Sequence, residues 1–306
     1  MVGAGAAVAL FASATVAAPL EILQEHQVNF GDAAAAQRGA NAHPDIANVD
    51  GVHQVGFTEI RSVAVFDSPL GPSGPAGTQF TDYIVGRFVN FAGPPPVGDP
   101  VDVEGYRDLH EITFALEVEG TTTAPFVPGE GGSFTFDNIV SWQMFHDSES
   151  TDENDPAYTP STFSDLGTFT DGLHVQNLVN SPDFALGNGT LNAVSTVEEL
   201  SGQFSIQALL DDLEGFQSDF IDFDGNAVGP DGIHGVASGN FTRILRGEED
   251  VISDFEAFFG FQVDDDTQSA FAFQSGGQYR MAIPEPASLA LLGVGGLLLL
   301  RRRRQA

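Results

Sequence analysis

Cysteine is absent from the 306 residues. Disulfide staples, thiolate metal centres and cysteine nucleophiles are therefore excluded, and stability must come from packing. Lysine is absent as well: all 11 basic residues are arginine, set against 43 acidic ones for a formal net charge of −32. Four of those arginines, Arg301, Arg302, Arg303 and Arg304, crowd the C-terminal end, leaving 7 for the rest of the chain. A body so poor in cations repels phosphate, which excludes nucleic acid as a partner. Catalytic signatures are missing too. The chain has no G-x-S-x-G elbow, no H-E-x-x-H, no phosphate-cradling G-x-x-x-x-G-K and no dinucleotide fingerprint. Paired carboxylates can hydrolyse glycosides, but 43 acidic residues supply pairs almost anywhere and single out none. No enzymatic activity is expected.

What is present is apolar and turn-rich. Hydrophobic residues make up 42% of the chain, enough to bury a core. Phe occurs 26 times against one Trp and four Tyr, beside 35 Gly and 17 Pro. That mixture suits many short strands joined by tight turns. The acidic excess fits a solvated, salt-tolerant surface, the binding of divalent cations such as calcium, or attraction to a cationic polymer.

Period-2 alternation recurs along residues 19–282. It is clear at 61–66, 83–91, 111–119, 133–136, 203–209, 239–245 and 270–274, each stretch bounded by Gly, Pro, Asp or Asn. These features predict an all-β body, an antiparallel β-sandwich or jelly-roll-like fold. Short helices are expected over Glu21 to Val28 and Val251 to Phe259. Ser68 to Gly77, Gly93 to Pro100 and the acidic run Asp147 to Pro160 read as surface loops.

One pattern recurs beyond chance. Asp50-Gly51-Val52-His53, Asp171-Gly172-Leu173-His174 and Asp231-Gly232-Ile233-His234 share the form Asp-Gly-aliphatic-His, in a chain with seven histidines. Asp-Gly makes a tight turn, the aliphatic residue faces the core and His faces the other way. Three hairpins with solvent-facing histidines, a diverged internal repeat, or convergence of His53, His174 and His234 on a transition metal all fit. A second candidate is Asp222-Phe223-Asp224-Gly225-Asn226 with Asp231 further on. Alternating oxygen ligands suit calcium, although Ala227 and Ile233 stand where an EF-hand needs its Gly and Glu. The sequons Asn188-Gly189-Thr190 and Asn240-Phe241-Thr242 would accept a surface glycan.

The two ends differ from the body. Val2 to Ala18 is an apolar, small-residue run closing on Ala-Thr-Val-Ala-Ala before Pro19, so residues 1–18 read as a signal peptide with its signal helix, although no basic residue precedes it. At the other end stand Pro284, Glu285 and Pro286, then an uncharged Leu/Gly-rich segment, then the four arginines. The segment from Ala287 to Leu300 has 14 residues, about 21 Å of helix, short for a hydrocarbon core of about 30 Å. Snorkelling arginine stems can make up the difference, and the positive-inside rule keeps the arginines cytoplasmic with the body outside. A short transmembrane helix is expected within residues 283–306.

This three-part tail resembles the PEP-CTERM sorting signal of Gram-negative bacteria. The resemblance rests on Pro284, Glu285 and Pro286, the Leu/Gly-rich segment and Arg301 to Arg304, and covers about the last 24 residues. It implies handling by an exosortase, a membrane-embedded peptidase, after passage through signal peptidase and the export machinery. It also implies an exopolysaccharide or biofilm setting. Tails of this kind also carry an ice-binding-protein label, which describes the tail and not an affinity for ice. The sequence thus points to an exported protein, anchored in the inner membrane before processing and then placed at the cell surface or outside. There it would serve as a matrix component. The alternative is a secreted carbohydrate-binding or carbohydrate-active β-sandwich protein, calcium-dependent if the Asp222 loop holds the ion.

Overall fold

The computed structural model describes residues 21–23, 26–52, 54–93, 100–155, 157–181, 185–211, 220–222 and 234–284. Two compact units divide the chain, and the body is the unit Leu23–Ile283. The expected signal helix and transmembrane helix lie outside the described residues.

The all-β expectation holds: among the described residues strands dominate, and every ladder between named strands is antiparallel. In chain order the strands are β1 (Glu21–Leu23), β2 (His26–Val28), β3 (Val49–Val52), β4 (Gln54–Phe66), β5 (Gln79–Arg87), β6 (Asn90–Ala92) and β7 (His110–Val127). They continue with β8 (Gly131–Ser148), β9 (Leu173–Val179), β10 (Gly187–Leu191), β11 (Ser201–Asp211), β12 (Ile221–Asp222), β13 (His234–Arg243) and β14 (Ser269–Pro284). Two α-helices accompany them, α1 (Phe30–Arg38) and α2 (Glu248–Phe259).

The large sheet runs β14, β13, β11, β10, β8, β7, β5, β4, and β4 then pairs with β14. The ring closes because Phe273 to Arg280 of β14 hydrogen-bond β13 on one side and β4 on the other. Ring order equals chain order, so the body is an up-and-down barrel of eight positions. One position is split: β10 fills the gap between β8 and β11 at one end and β9 fills it at the other. The two layers expected of a sandwich are opposing walls of this one closed sheet. Closure removes the exposed edges that an open sheet must protect.

Alternation decides which residues look inward. On β4, Ile60, Ser62, Ala64 and Phe66 face the barrel interior; on β5, Phe80, Asp82 and Ile84 do. Their odd-numbered neighbours Val63, Val65 and Val85 face outward and are as well buried, because α2 covers them. Apolar residues at Val251, Ile252, Phe255, Phe258 and Phe259 give α2 its buried stripe. Glu248, Glu249 and Asp250 sit in its first turn, where the helix dipole favours negative charge. Gly260, at φ +77°, ends it in the left-handed conformation that only glycine adopts cheaply.

A three-stranded sheet of β12, β2 and β3 stands beside α1. Phe30, fully buried at the start of α1, meets Phe91, His110 and Phe220 ring to ring at 5.5, 4.9 and 6.0 Å. These contacts join α1 and the small sheet to the barrel interior as a single core.

Several local expectations change. Glu21–Leu23 and His26–Val28 are strands; Val28 pairs with Val49, and this partner overrides the helical pattern. The helix comes one step later, where the alanine run of Phe30–Arg38 carries the highest helix propensity. Ser68 to Gly77 is no plain surface loop: Ser68, Gly71, Pro72 and Gly74 are buried, and Pro72 borders the barrel interior. Asp147 is buried within β8, held by Arg38. The helix expected at Val251 to Phe259 is found.

Candidate functional site

The barrel interior keeps an open volume of about 80 Å³, several times the ~10–15 Å³ that admits one water. Its wall is mostly Phe, Leu and Ile, with Phe88, Phe114, Phe136 and Phe273 among the rings. Polar side chains interrupt it, among them Ser62, Asp82, Trp142 and Tyr279. Asp82 stands between Phe80 and Ile84 on β5, so its inward position follows from strand parity. Burial pushes its carboxyl up to about 7, partly opposed by a hydrogen bond from the Ser62 hydroxyl. Its Oδ1 has no partner among the described residues; neither has Trp142 Nε1 nor the Tyr279 hydroxyl. Trp142 is 4% exposed and Tyr279 1%. Their rings meet edge-on at 6.2 Å. Gly235 makes room for the tyrosine, since a Cβ there would lie 2.4 Å from its hydroxyl. Each orphaned group costs about 1–3 kcal/mol while it stays dry. Three such groups, from β5, β8 and β14, border the chamber.

The wall is irregular beside β14. Its pairing with β4 slips between Ser275 and Gly277, a β-bulge. Outside the bulge lies a polar groove of about 430 Å³, bordered by Glu59, Arg61, Phe163, Asn240, Thr242 and Gln274. Arg61 lies over the Phe163 ring at 4.5 Å. Ile60 and Ser275 border both the groove and the interior chamber.

A third polar cluster lies where α1 meets the barrel. His146 Nε2 donates to His110 Nδ1 at 3.2 Å, and His110 Nε2 donates to the Glu104 carbonyl at 3.3 Å; the carbonyl, which can only accept, fixes this direction. Burial favours the neutral form of both rings. Burial lowers His110 to about 4, and burial, with the neighbouring His110 and Arg38, holds His146 well below the usual histidine range. Around them Gln37 Nε2 donates to Asp147 Oδ1 at 2.8 Å, and Arg38 Nε to the Ser148 carbonyl at 2.8 Å. These bonds fasten α1 to β8.

Among the described residues, no group of three or more His, Asp or Glu could hold a metal ion. His174 is the second residue of β9 and binds Asn177 Oδ1 through Nε2 at 2.8 Å, beside the Phe145 ring. His234 opens β13, and His53 lies outside the described residues. The Asp-Gly-aliphatic-His stretches thus supply part of β3 and the first residues of β9 and β13. Of the calcium candidates, Asp222 is the last residue of β12, while Asp224, Asn226 and Asp231 lie outside the described residues. Pro284 ends β14; Glu285, Pro286 and Arg301 to Arg304 lie outside. Sequence patterns missed Asp82, Trp142 and Tyr279. The available signal was an acid on the same strand parity as Phe80 and Ile84.

Residues 282–304 match the family model described as the PEP-CTERM protein-sorting motif. The chain carries a PEP-CTERM sorting signal. No curated protein and no solved structure matches the chain. A PEP-CTERM signal marks an exported protein that is membrane-anchored, sorted by exosortase and directed to the surface. Among the described residues no helix is long and apolar enough to cross a membrane.

Proposed function

We propose that this chain is a non-catalytic component of the cell surface or extracellular matrix, delivered by a signal peptide and released into place after an exosortase acts near Pro284-Glu285-Pro286. The match to the sorting motif carries this reading. The body supports it: a closed barrel without edges is a durable module outside the cell, where chaperones are scarce, and its acidic composition keeps it soluble. An exopolysaccharide matrix is the expected setting. Calcium bound at Asp222, Asp224, Asn226 and Asp231 would stiffen the module. Millimolar calcium would then raise the melting midpoint, and an unchanged midpoint removes that part.

The sorting route is tested in cells. Replacing Pro284 and Pro286 by alanine, with Arg301 to Arg304 by glutamine, is expected to abolish surface delivery, read by fractionation and mass spectrometry of the mature terminus. Unaltered delivery with an unaltered terminus would refute it.

A carbohydrate-binding module is the second reading, and the groove beside β14 favours it. Asn240, Gln274 and Thr242 offer amide and hydroxyl groups to sugar hydroxyls, and the Arg61–Phe163 pair borders them. Loss of exopolysaccharide binding on Asn240→Ala and Gln274→Ala substitution would favour this reading.

A further inference from the structure

We propose that the barrel chamber binds one slender single-chain amphiphile, its hydrocarbon lying among the phenylalanines and its alcohol or amine end donating to the free oxygen of Asp82. The inference is independent of the sorting reading. Shape, polarity and access each support it.

Shape comes from the wall. The lining runs along β4 from Ile60 to Phe66, about 20 Å of strand, yet encloses only about 80 Å³. A small volume spread along that length would fit a chain better than a fused-ring body. Eight-stranded barrels have an interior that side chains either fill or leave open for one small ligand. Here they leave it open.

Polarity comes from the three orphaned atoms. Asp82 Oδ1 is an acceptor once ionised, and an amine or hydroxyl end satisfies it. Trp142 Nε1–H and the Tyr279 hydroxyl are donors, open to an acceptor oxygen where a ligand carries one. An alkane leaves all three unsatisfied. Where Asp82 is ionised, a fatty carboxylate would bring a second negative charge against it and be rejected. The site therefore discriminates by head group, as buried polar groups in apolar pockets do.

Access comes from the bulge. Ser275 and Ile60 separate the chamber from the outer groove, and the bulge leaves the ladder slipped at that point. Entry is assigned to this point, where the two spaces share a wall.

Trp142 is the single tryptophan of the chain and lines the chamber, so its fluorescence reports occupancy directly. The experiment, run at about pH 9 so that Asp82 is ionised, titrates the exported chain, purified without detergent, with decylamine, 1-decanol, decane and decanoate. Native mass spectrometry runs in parallel. Decylamine and 1-decanol are expected to shift the emission saturably at one molecule per chain, at least tenfold more tightly than decane or decanoate. Asp82→Ala should weaken both by tenfold or more and leave decane unchanged, and Ala237→Leu should exclude all four. If either variant fails to fold by circular dichroism, the head-group order in the wild type decides alone. A flat wild-type response, equal affinity for decanoate and decanol, or a crystal structure of soaked protein with only waters on Asp82, Trp142 and Tyr279 would overturn the proposal.

Discussion

The two faces of the barrel wall solve the same packing problem differently. Outside, Val63, Val65, Val85, Ala115 and Ala272 meet Leu166, Phe169 and Phe255 in a cluster of buried apolar side chains. Inside, the very next residues on the same strands, Ser62, Ala64, Ile84, Leu116 and Phe273, border open space and a half-buried acid. One register serves both faces, because alternate side chains point to opposite sides of a strand. The outer face therefore stabilises, while the inner face gives up some stability to keep a chamber. A sequence selected for stability alone would have no use for Asp82 between Phe80 and Ile84.

That contrast can be broken most forcefully on the outside. Phe255→Ala removes the fully buried ring at the centre of α2 and should cost about 3–5 kcal/mol, read from the urea midpoint. A loss below about 1 kcal/mol would mean that α2 is not a working part of the core.

The inside should respond in the opposite sense. The folded pKa of Asp82, about 7, lies above the ordinary value of 3.8, so the fold holds this proton more tightly than the unfolded chain does. Stability is thus lost as pH rises through that window, and the loss is complete above about 7. Asp82→Asn cannot ionise. It should gain on the wild type as pH rises, by on the order of 3 kcal/mol between pH ~3 and ~8, measured by urea unfolding across pH. A gain independent of pH would place Asp82 in water.

A smaller effect sharpens the outer half. Glu248 accepts from Arg243 at 2.9 and 2.7 Å and from the Ala272 amide at 3.1 Å, tying the first turn of α2 to β13 and β14. Glu248→Gln should cost about 1–2 kcal/mol, the worth of a charge-assisted pair shielded from water. The same variant should leave the emission of Trp142 unchanged, since α2 packs on the other side of the wall.

Most strands were legible because alternation marks a surface buried on one side. The alternating stretches at 61–66, 111–119 and 203–209 fall within β4, β7 and β11. Helix α2 was legible from its amphipathic spacing. Closure was not. Ser269 pairs with Phe66, about two hundred positions away, and no local pattern records such a partner. The strand Phe80-Thr81-Asp82-Tyr83-Ile84 does carry the chamber's acid in plain view, but parity alone cannot say whether an acid there faces solvent or a core. That depends on closure. The tail shows the reverse case, in which a short contiguous motif carries its meaning without any fold.

Closure of the sheet between β4 and β14 is what creates an inside, and the cysteine-free sequence makes it directly testable. Arg61 and Gln274 are cross-strand partners on the two strands that close the ring. Such partners stand about 4.5–5.5 Å apart at Cα, within disulfide range. Arg61→Cys combined with Gln274→Cys should form one intramolecular disulfide on mild oxidation, seen as a two-dalton mass loss, a single cross-linked peptide and a raised melting temperature. Two free thiols in the folded, oxidised double variant would mean that the sheet is open and that the chamber does not exist.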